Sequence, residues 1–338
     1  MNVTVDKFAS STSPLGLANP VEAHAEAPSE VGQLVVVRAL TENPVYSDLE
    51  LVTGEQVPIR KGDVIAGILG TRQALRGFVG YAPYRLAKGD RVHVLNLGGV
   101  VGRYVSGPKA LGEPVQAEVL GVSKRNLREV AIPHVDVLGE CRPIVLVAGS
   151  CMNVGKTCTA VEVIRGLAKQ GLRVGGAKIT GIACLKDLIK MKEAGAVRTY
   201  SFLDCGVAST VDAEDVAAIA RSIASRLSDV DIIVMELGDG IMGHYKVERF
   251  FDDRALMAHI DAVVFCASDL TAAWGGRQFL GQKGVRVTAF CGPVTDTEAG
   301  VTYLERQVGV PAANSLSDPE KLMGILSPVL ACQKSARS

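Results

Sequence analysis

The stretch Ile144-Val145-Leu146-Val147-Ala148-Gly149-Ser150-Cys151-Met152-Asn153-Val154-Gly155-Lys156-Thr157 decides how this chain is read. An apolar run enters a glycine-bounded loop that closes on Gly-Lys-Thr, and Thr159 to Ala168 then carries apolar residues at helical spacing. Strand, loop and helix in that order form a Walker A arrangement. In it successive backbone N–H groups surround a phosphate, the lysine reaches the terminal phosphates, and the hydroxyl ligates Mg²⁺. Gly149, Ser150, Cys151, Met152, Asn153, Val154, Gly155, Lys156, Thr157 and Cys158 are therefore the expected nucleotide-binding residues. Lys156 is expected to be catalytic and Thr157 to ligate the metal.

Working outward, the C-terminal part alternates strands with helices. Leu172–Thr180, Asp231–Glu236, Ala262–Cys266 and Val285–Phe290 read as continuous apolar strands of a parallel sheet covered on both faces. Ala213–Leu227 and 319–330 read as helices. The sheet strand Asp231-Ile232-Ile233-Val234-Met235-Glu236 ends in a carboxylate followed by Leu237-Gly238-Asp239-Gly240. An acid emerging at the carboxyl edge beside the phosphate loop is what a Walker B site requires, so Glu236 is expected to act in catalysis and in holding Mg²⁺. Asp239 reads as a second acid or as a turn former. Lys178, at the end of another sheet strand, is a third catalytic candidate, because phosphoryl transfer needs cations where charge develops. Asp187 is a candidate metal ligand, and Asp204 is an alternative to it. His244, Lys246 and Arg249 could meet an anionic acceptor, and Gly275-Gly276-Arg277 could form a mobile loop near a phosphate.

Upstream, 32–120 carries short β-runs with the turn signals Lys61-Gly62-Asp63 and Lys88-Gly89-Asp90 between them. Strands at that spacing predict a small β-barrel or sandwich. His93 reads as half-buried scaffold. Residues 1–31, rich in Ala, Ser, Pro and Glu, are expected to form a flexible tail, 121–142 a connector, 143–330 the nucleotide-binding domain and 331–338 a second tail. The fold class is thus α/β, a parallel-sheet P-loop domain preceded by a small all-β barrel-like domain.

Five residues separate Gly149 from Gly155, one more than the usual count. This form resembles the loop of the dethiobiotin synthetase and cobyrinic acid amidating branch of P-loop proteins, with Gly149, Val154, Gly155, Lys156 and Thr157 matching. Gly238 and Gly240 fall in nearly the places of that branch's Glu-x-Ala-Gly-Gly segment. The resemblance covers about residues 143 to 315. It implies a kinase or synthetase using ATP and Mg²⁺ to activate a carboxylate, carbamate or hydroxyl of a small-molecule acceptor, with Lys178 facing that acceptor. In relatives the turn at Gly292–Asp296 contacts adenine. A second resemblance, on Ala177–Gly181, Asp187–Ala196 and Asp204–Thr210, is to the P-loop family that includes D-glutamate N-acetyltransferases. It implies an N-acyltransferase whose loop holds acyl-CoA phosphates. A third reading is a nucleotide-switched maturation factor.

Equal numbers of basic and acidic residues, 36 each, argue against nucleic-acid or membrane-surface binding by bulk charge. A cytoplasmic homodimer is expected. The eight cysteines include no Cys-x-x-Cys pair, which favours free thiols over zinc or disulfides.

Overall fold

In the computed structural model, residues 1–139 and 141–337 are described, and the chain divides into two compact units. The first comprises Met1–Pro133, Gly181–Lys186 and Phe202–Glu214; the second comprises His134–Thr180, Asp187–Ser201 and Asp215–Ser338. Two short pieces from within the P-loop sequence thus fold with the β-rich unit.

The first unit is built on an eight-stranded sheet. Five of its strands close on themselves: Val64–Leu69, Gln33–Ala39, Gln116–Asn126, Arg91–Val94 and Val100–Ser106, whose last member pairs back in parallel with the first. Closure removes those strands' open edges, which is how short strands avoid templating aggregation. Val35, Val37, Ile65, Leu69, Val92, Val94, Val101, Ala117 and Val119 belong to one buried cluster. The two Lys-Gly-Asp turns share one geometry. Gly62 and Gly89 have φ of 98° and 94°, and Asp63 and Asp90 each accept from the backbone N–H three residues earlier, at 2.6 and 3.0 Å. His93 is half-buried, its Nδ1 accepting from the Tyr104 N–H at 3.2 Å. Burial pushes its pKa below the usual histidine value.

Residues 1–31 correct the expectation of a flexible tail. Asn2–Val3 pairs with Val21–Glu22, Lys7–Phe8 joins the large sheet, and Glu26–Pro28 pairs with Arg85–Ala87. Ala9, Ser10, Ser11 and Thr12 are buried. Composition weighs side-chain hydrophobicity, whereas these residues are ordered largely by backbone pairing to existing strands. The connector at 121–142 is also divided. Its first part completes the strand Gln116–Asn126, and Asn126 then caps the turn Leu127–Val130 in a capping box with Glu129.

The second unit is a six-stranded parallel sheet. Its elements are β1 (Ile144–Gly149), α1 (Lys156–Lys169), β2 (Val174–Thr180), α2 (Lys186–Glu193), β3 (Ala196–Ser201), α3 (Val216–Arg226), β4 (Ile232–Leu237), α4 (Val247–Phe250), α5 (Arg254–Met257), β5 (Ile260–Cys266), α6 (Leu270–Gln282), β6 (Ala289–Cys291), α7 (Glu298–Tyr303) and α8 (Pro319–Arg337). The strand order is β3-β2-β4-β1-β5-β6, all parallel. This is a P-loop type α/β fold. On one face Val163, Ile164 and Leu167 of α1 and Leu322 and Leu326 of α8 join Val145, Val147, Val234 and Val264 in one core. On the other, α3 and α6 cover the sheet, Leu227 lies against Gly175, and Gly276 closes on the Phe265 ring. Strand β3 is an edge strand that the sequence reading passed over: Val197 and Arg198 are exposed, so its apolar run is broken. Helix α8 runs to Arg337, beyond the boundary expected at 330; Ser338 lies outside the described residues. Among the described residues no helix is long and apolar enough to cross a membrane.

Candidate functional site

The phosphate loop lies at the carboxyl edge of the sheet, between β1 and α1. Its entry is pinned to the neighbouring strand: the Ser150 N–H donates to the Cys266 carbonyl at 2.9 Å, and the Ser268 N–H donates to Ser150 Oγ at 3.3 Å. Asn153 has φ of 61° and Gly155 of 83°, so the chain turns twice through the left-handed region before α1 begins at Lys156. A Cβ at Gly155 would meet only Gly292 Cα, at 3.8 Å; the left-handed backbone, rather than crowding, requires glycine there. The turn thus places the first N–H groups of a 14-residue helix, and the positive end of its dipole, against the loop.

Lys156 is buried, and its ammonium donates to the Cys151 carbonyl at 2.6 Å, across the loop's own centre. Burial pushes its pKa down, while Glu236 acts in the opposite sense. One helical residue further on, Thr157 Oγ1 donates to Glu236 Oε1 at 2.9 Å and lies 3.3 Å from Asp187 Oδ1. Glu236 reaches this point because β4 lies beside β1, with Val147 in register with Glu236. Lys178 arrives from the other side, since β2 pairs with β4 at Lys178 and Glu236. Its ammonium sits 2.5 Å from Glu236 Oε1 and 2.8 Å from Asp187 Oδ2. Burial alone would lower the Lys178 pKa, but the two carboxylates overcome it and hold the group above the ordinary lysine range.

The structure therefore brings Lys156, Thr157, Lys178, Asp187 and Glu236 together. In the loop, Cys151, Met152 and Cys158 are half-buried, Asn153 is exposed and Val154 anchors into the core. The remaining candidates go elsewhere. Asp204 belongs to the first unit, where its carbonyl accepts from the Ile132 N–H. Gly275-Gly276-Arg277 is no mobile loop; it lies inside α6, about 10 Å along the axis from the helix start. Arg277 there lines a groove with Ile260, Asp261 and Arg286 at the amino ends of β5 and β6, the opposite edge from the Gly149–Thr157 loop. His244 and Arg249 are exposed, and Lys246 precedes the short helix α4 with φ of 60°. Cys266 and Ser268, which the sequence did not single out, fix the loop through the Cys266 carbonyl and the Ser268 N–H, while Gly292, expected in a base-contacting turn, lies against Val154 and Gly155. Only their position at strand ends could have signalled them.

The donor set fits Mg²⁺. Glu236 Oε2 is buried and has no hydrogen-bond partner among the described residues, so one carboxylate oxygen is left for a further ligand. The groups around it are hard oxygens: Thr157 Oγ1 and the Asp187 carboxylate. Among the described residues no group of three or more His, Cys, Asp or Glu side chains is arranged to hold a metal by itself. Mg²⁺ bound with a nucleotide needs only one or two protein carboxylates, because phosphates and water supply the rest.

No protein-family model matches the chain, and no curated protein matches it. Solved structures are similar over part of it. The signal recognition particle receptor FtsY from Elizabethkingia anophelis is 18% identical over 52% of this chain, with a TM-score of 0.38. Chloroplast FtsY from Physcomitrella patens is 19% identical over 59% of this chain and 70% of its own, with a TM-score of 0.40. A nucleotide-binding protein from Archaeoglobus fulgidus, in complex with ADP, is 13% identical over 55% of this chain and 87% of its own, with a TM-score of 0.36. The chain spans 58% of the length of the Elizabethkingia receptor structure.

Proposed function

We propose that this chain binds a nucleoside triphosphate with Mg²⁺ and cleaves its terminal phosphoanhydride, acting as a nucleotide-switched P-loop protein. The observation that carries the reading is the convergence of Thr157, Asp187, Glu236 and Lys178 beside the loop that holds Lys156. The loop's N–H groups and helix dipole bind the phosphates. Lys156 exchanges the Cys151 carbonyl for terminal phosphate oxygens, a stronger, charge-assisted partner. Thr157, Glu236 and Asp187 would hold Mg²⁺, which when bound neutralises charge on the terminal phosphates. Lys178 keeps both carboxylates in place.

The position of Lys178 weighs against transfer to an anionic small molecule. A kinase or synthetase activating a carboxylate or carbamate needs a cation free to meet the acceptor, and Lys178 is engaged by two carboxylates. The switched reading gains support from chain connectivity. Between Lys178 and Asp187 the chain passes through 181–186, which folds with the β-rich unit: Asn96 Nδ2 donates to the Ala183 carbonyl at 2.7 Å, and the Leu185 N–H to Glu50 Oε2 at 2.6 Å.

Calorimetry with ATP, GTP and acetyl-CoA, each with and without Mg²⁺, tests the proposal, with phosphate release measured in parallel. Triphosphate binding that requires Mg²⁺ is expected, with ATP examined first. Slow hydrolysis without added acceptor is expected too, falling at least ~100-fold in Lys156→Ala. Metal-independent binding of acetyl-CoA with no triphosphate turnover would overturn it in favour of acyl transfer. Turnover that appears only with a metabolite mixture would favour the kinase.

A further inference from the structure

At the amino edge of the parallel sheet, opposite the Gly149–Thr157 loop, the second unit carries a groove of about 1130 Å³. Cations reach it from separate elements: Arg254 from the start of α5, Arg277 from within α6, and Lys283 and Arg286 from the link between α6 and β6. Against these four, one acid lines the groove, the buried Asp261 near the start of β5.

The chain neutralises one of these cations and leaves the other three. Lys283 donates to Asp252 at 2.6 Å. Among the described residues, Arg254, Arg277 and Arg286 have no ion-pair partner, and all three are exposed. Arg165, Arg173, Arg198 and Arg221 of the same unit each meet a carboxylate. Guanidinium groups stay charged at any physiological pH, so three of them around one groove repel each other and attract an anion. Their planar forks match phosphate oxygens two at a time. The groove also has apolar walls, where Val285 and Val287 are buried and Ile325 and Val329 of α8 are half-buried. Apolar walls with a few converging polar groups suit a small organic ligand, and pockets for such ligands run to roughly 1,000 Å³. Inorganic phosphate would leave those walls unused.

We infer that this groove binds an organic polyphosphate, a molecule of the nucleotide class, at a site separate from the phosphate loop. The arginines hold its phosphates by charge-assisted hydrogen bonds, and the apolar walls take its organic body. The inference goes beyond the proposed triphosphate chemistry and does not rest on it, since groove and loop share no residue.

ADP is the probe, titrated by calorimetry into the full chain carrying Lys156→Ala, which removes the loop's phosphate lysine. One ADP should bind per chain, with an affinity that falls between about 50 and 300 mM NaCl as screening increases. Adding Arg277→Gln and Arg286→Gln keeps the side chains long and removes their charge. Those two changes should weaken ADP at least ~30-fold, because each lost contact is charge-assisted. They break no ion pair, so the thermal midpoint should not fall. Tripolyphosphate should bind more weakly than ADP, since it leaves the apolar walls empty. Failure of the Lys156→Ala chain to bind ADP at millimolar concentration would overturn the inference, and so would binding that the glutamine substitutions leave unchanged. Tripolyphosphate binding as tight as that of ADP would remove the organic ligand from the assignment and overturn it. Capture of poly-L-glutamate in place of ADP would make the groove a docking surface for acidic polypeptide, again overturning it. A wild-type loop that fails to bind MgATP sinks the functional proposal and leaves this test intact.

Discussion

Replacing Lys178 with methionine tests the electrostatic heart of the site. The ammonium lies 2.5 Å from Glu236 and 2.8 Å from Asp187, and the three side chains are 13%, 1% and 16% exposed. At an effective dielectric of about 20, each contact is worth roughly 6 kcal/mol of gross Coulomb attraction. Desolvation of the three groups offsets most of that. What the substitution leaves, however, is two buried carboxylates without their cation, and breaking a buried pair from one side costs about 3–5 kcal/mol. Lys178→Met should therefore lose about that much stability in urea denaturation without metal. The lysine's folded pKa is raised above its unfolded value, so its contribution is fully present below about pH 10.5 and lost only as pH rises beyond that toward the folded value. The deficit should accordingly be constant from pH 6 to 9. A divalent cation can substitute for the missing charge, so millimolar Mg²⁺ should stabilise Lys178→Met far more than wild type. If the variant is as stable as wild type, or if Mg²⁺ raises both midpoints equally, the two carboxylates do not form a cation site and the reasoning fails.

Three further outcomes follow from named contacts. Thr157→Val keeps the shape of the residue but removes the hydroxyl that donates to Glu236, so it should cost about 1–2 kcal/mol and shift the Mg²⁺ requirement for turnover to higher concentration; an unchanged Mg²⁺ titration would exclude Thr157 as a ligand. His93 has a folded pKa depressed by burial, so the unfolded chain takes up its proton first. Stability is lost as pH falls through about 6.5 toward the folded pKa, and His93→Gln should lessen the drop in urea midpoint between pH 7.5 and 5.5. Burial pushes Cys266 up to about 12 and Cys291 well above its usual value, so mass mapping after thiol labelling at pH 8 should find both unmodified until the chain is unfolded.

Most of the nucleotide unit was legible in the sequence because its signals are local. An apolar run entering Gly-x₅-Gly-Lys-Thr can satisfy its backbone in few ways, and a strand ending in Glu236 places an acid at a sheet edge without knowledge of its neighbours. The amphipathic helices α1 and α3 were legible by periodicity. Strand β3 was not, since an exposed edge interrupts its pattern with Arg198 and Thr199. The ordered segment at 1–31 was missed for a different reason: pairing Lys7–Phe8 with Val64–Leu69 joins residues more than fifty positions apart, and composition does not report partners.

The sequence by itself determined a strand, a Gly-x₅-Gly-Lys-Thr loop and a helix, and a neighbouring strand that ends in an acid. Tertiary structure decided which of the other residues meet. Strand order β2-β4-β1 places Lys178 against Glu236, where it pairs with two carboxylates. Close backbone approach sets Gly240 and Ile241 against Ser150 and Gly149, so the turn after β4 lies on the loop. The assignment of 181–186 and 202–214 to the β-rich unit also came only from the fold, because these segments are held by Asn96, Glu50 and backbone groups brought from distant sequence. Local patterns encode groups that act through their own backbone; the roles of charged side chains depend on which opposite charges the fold sets within reach.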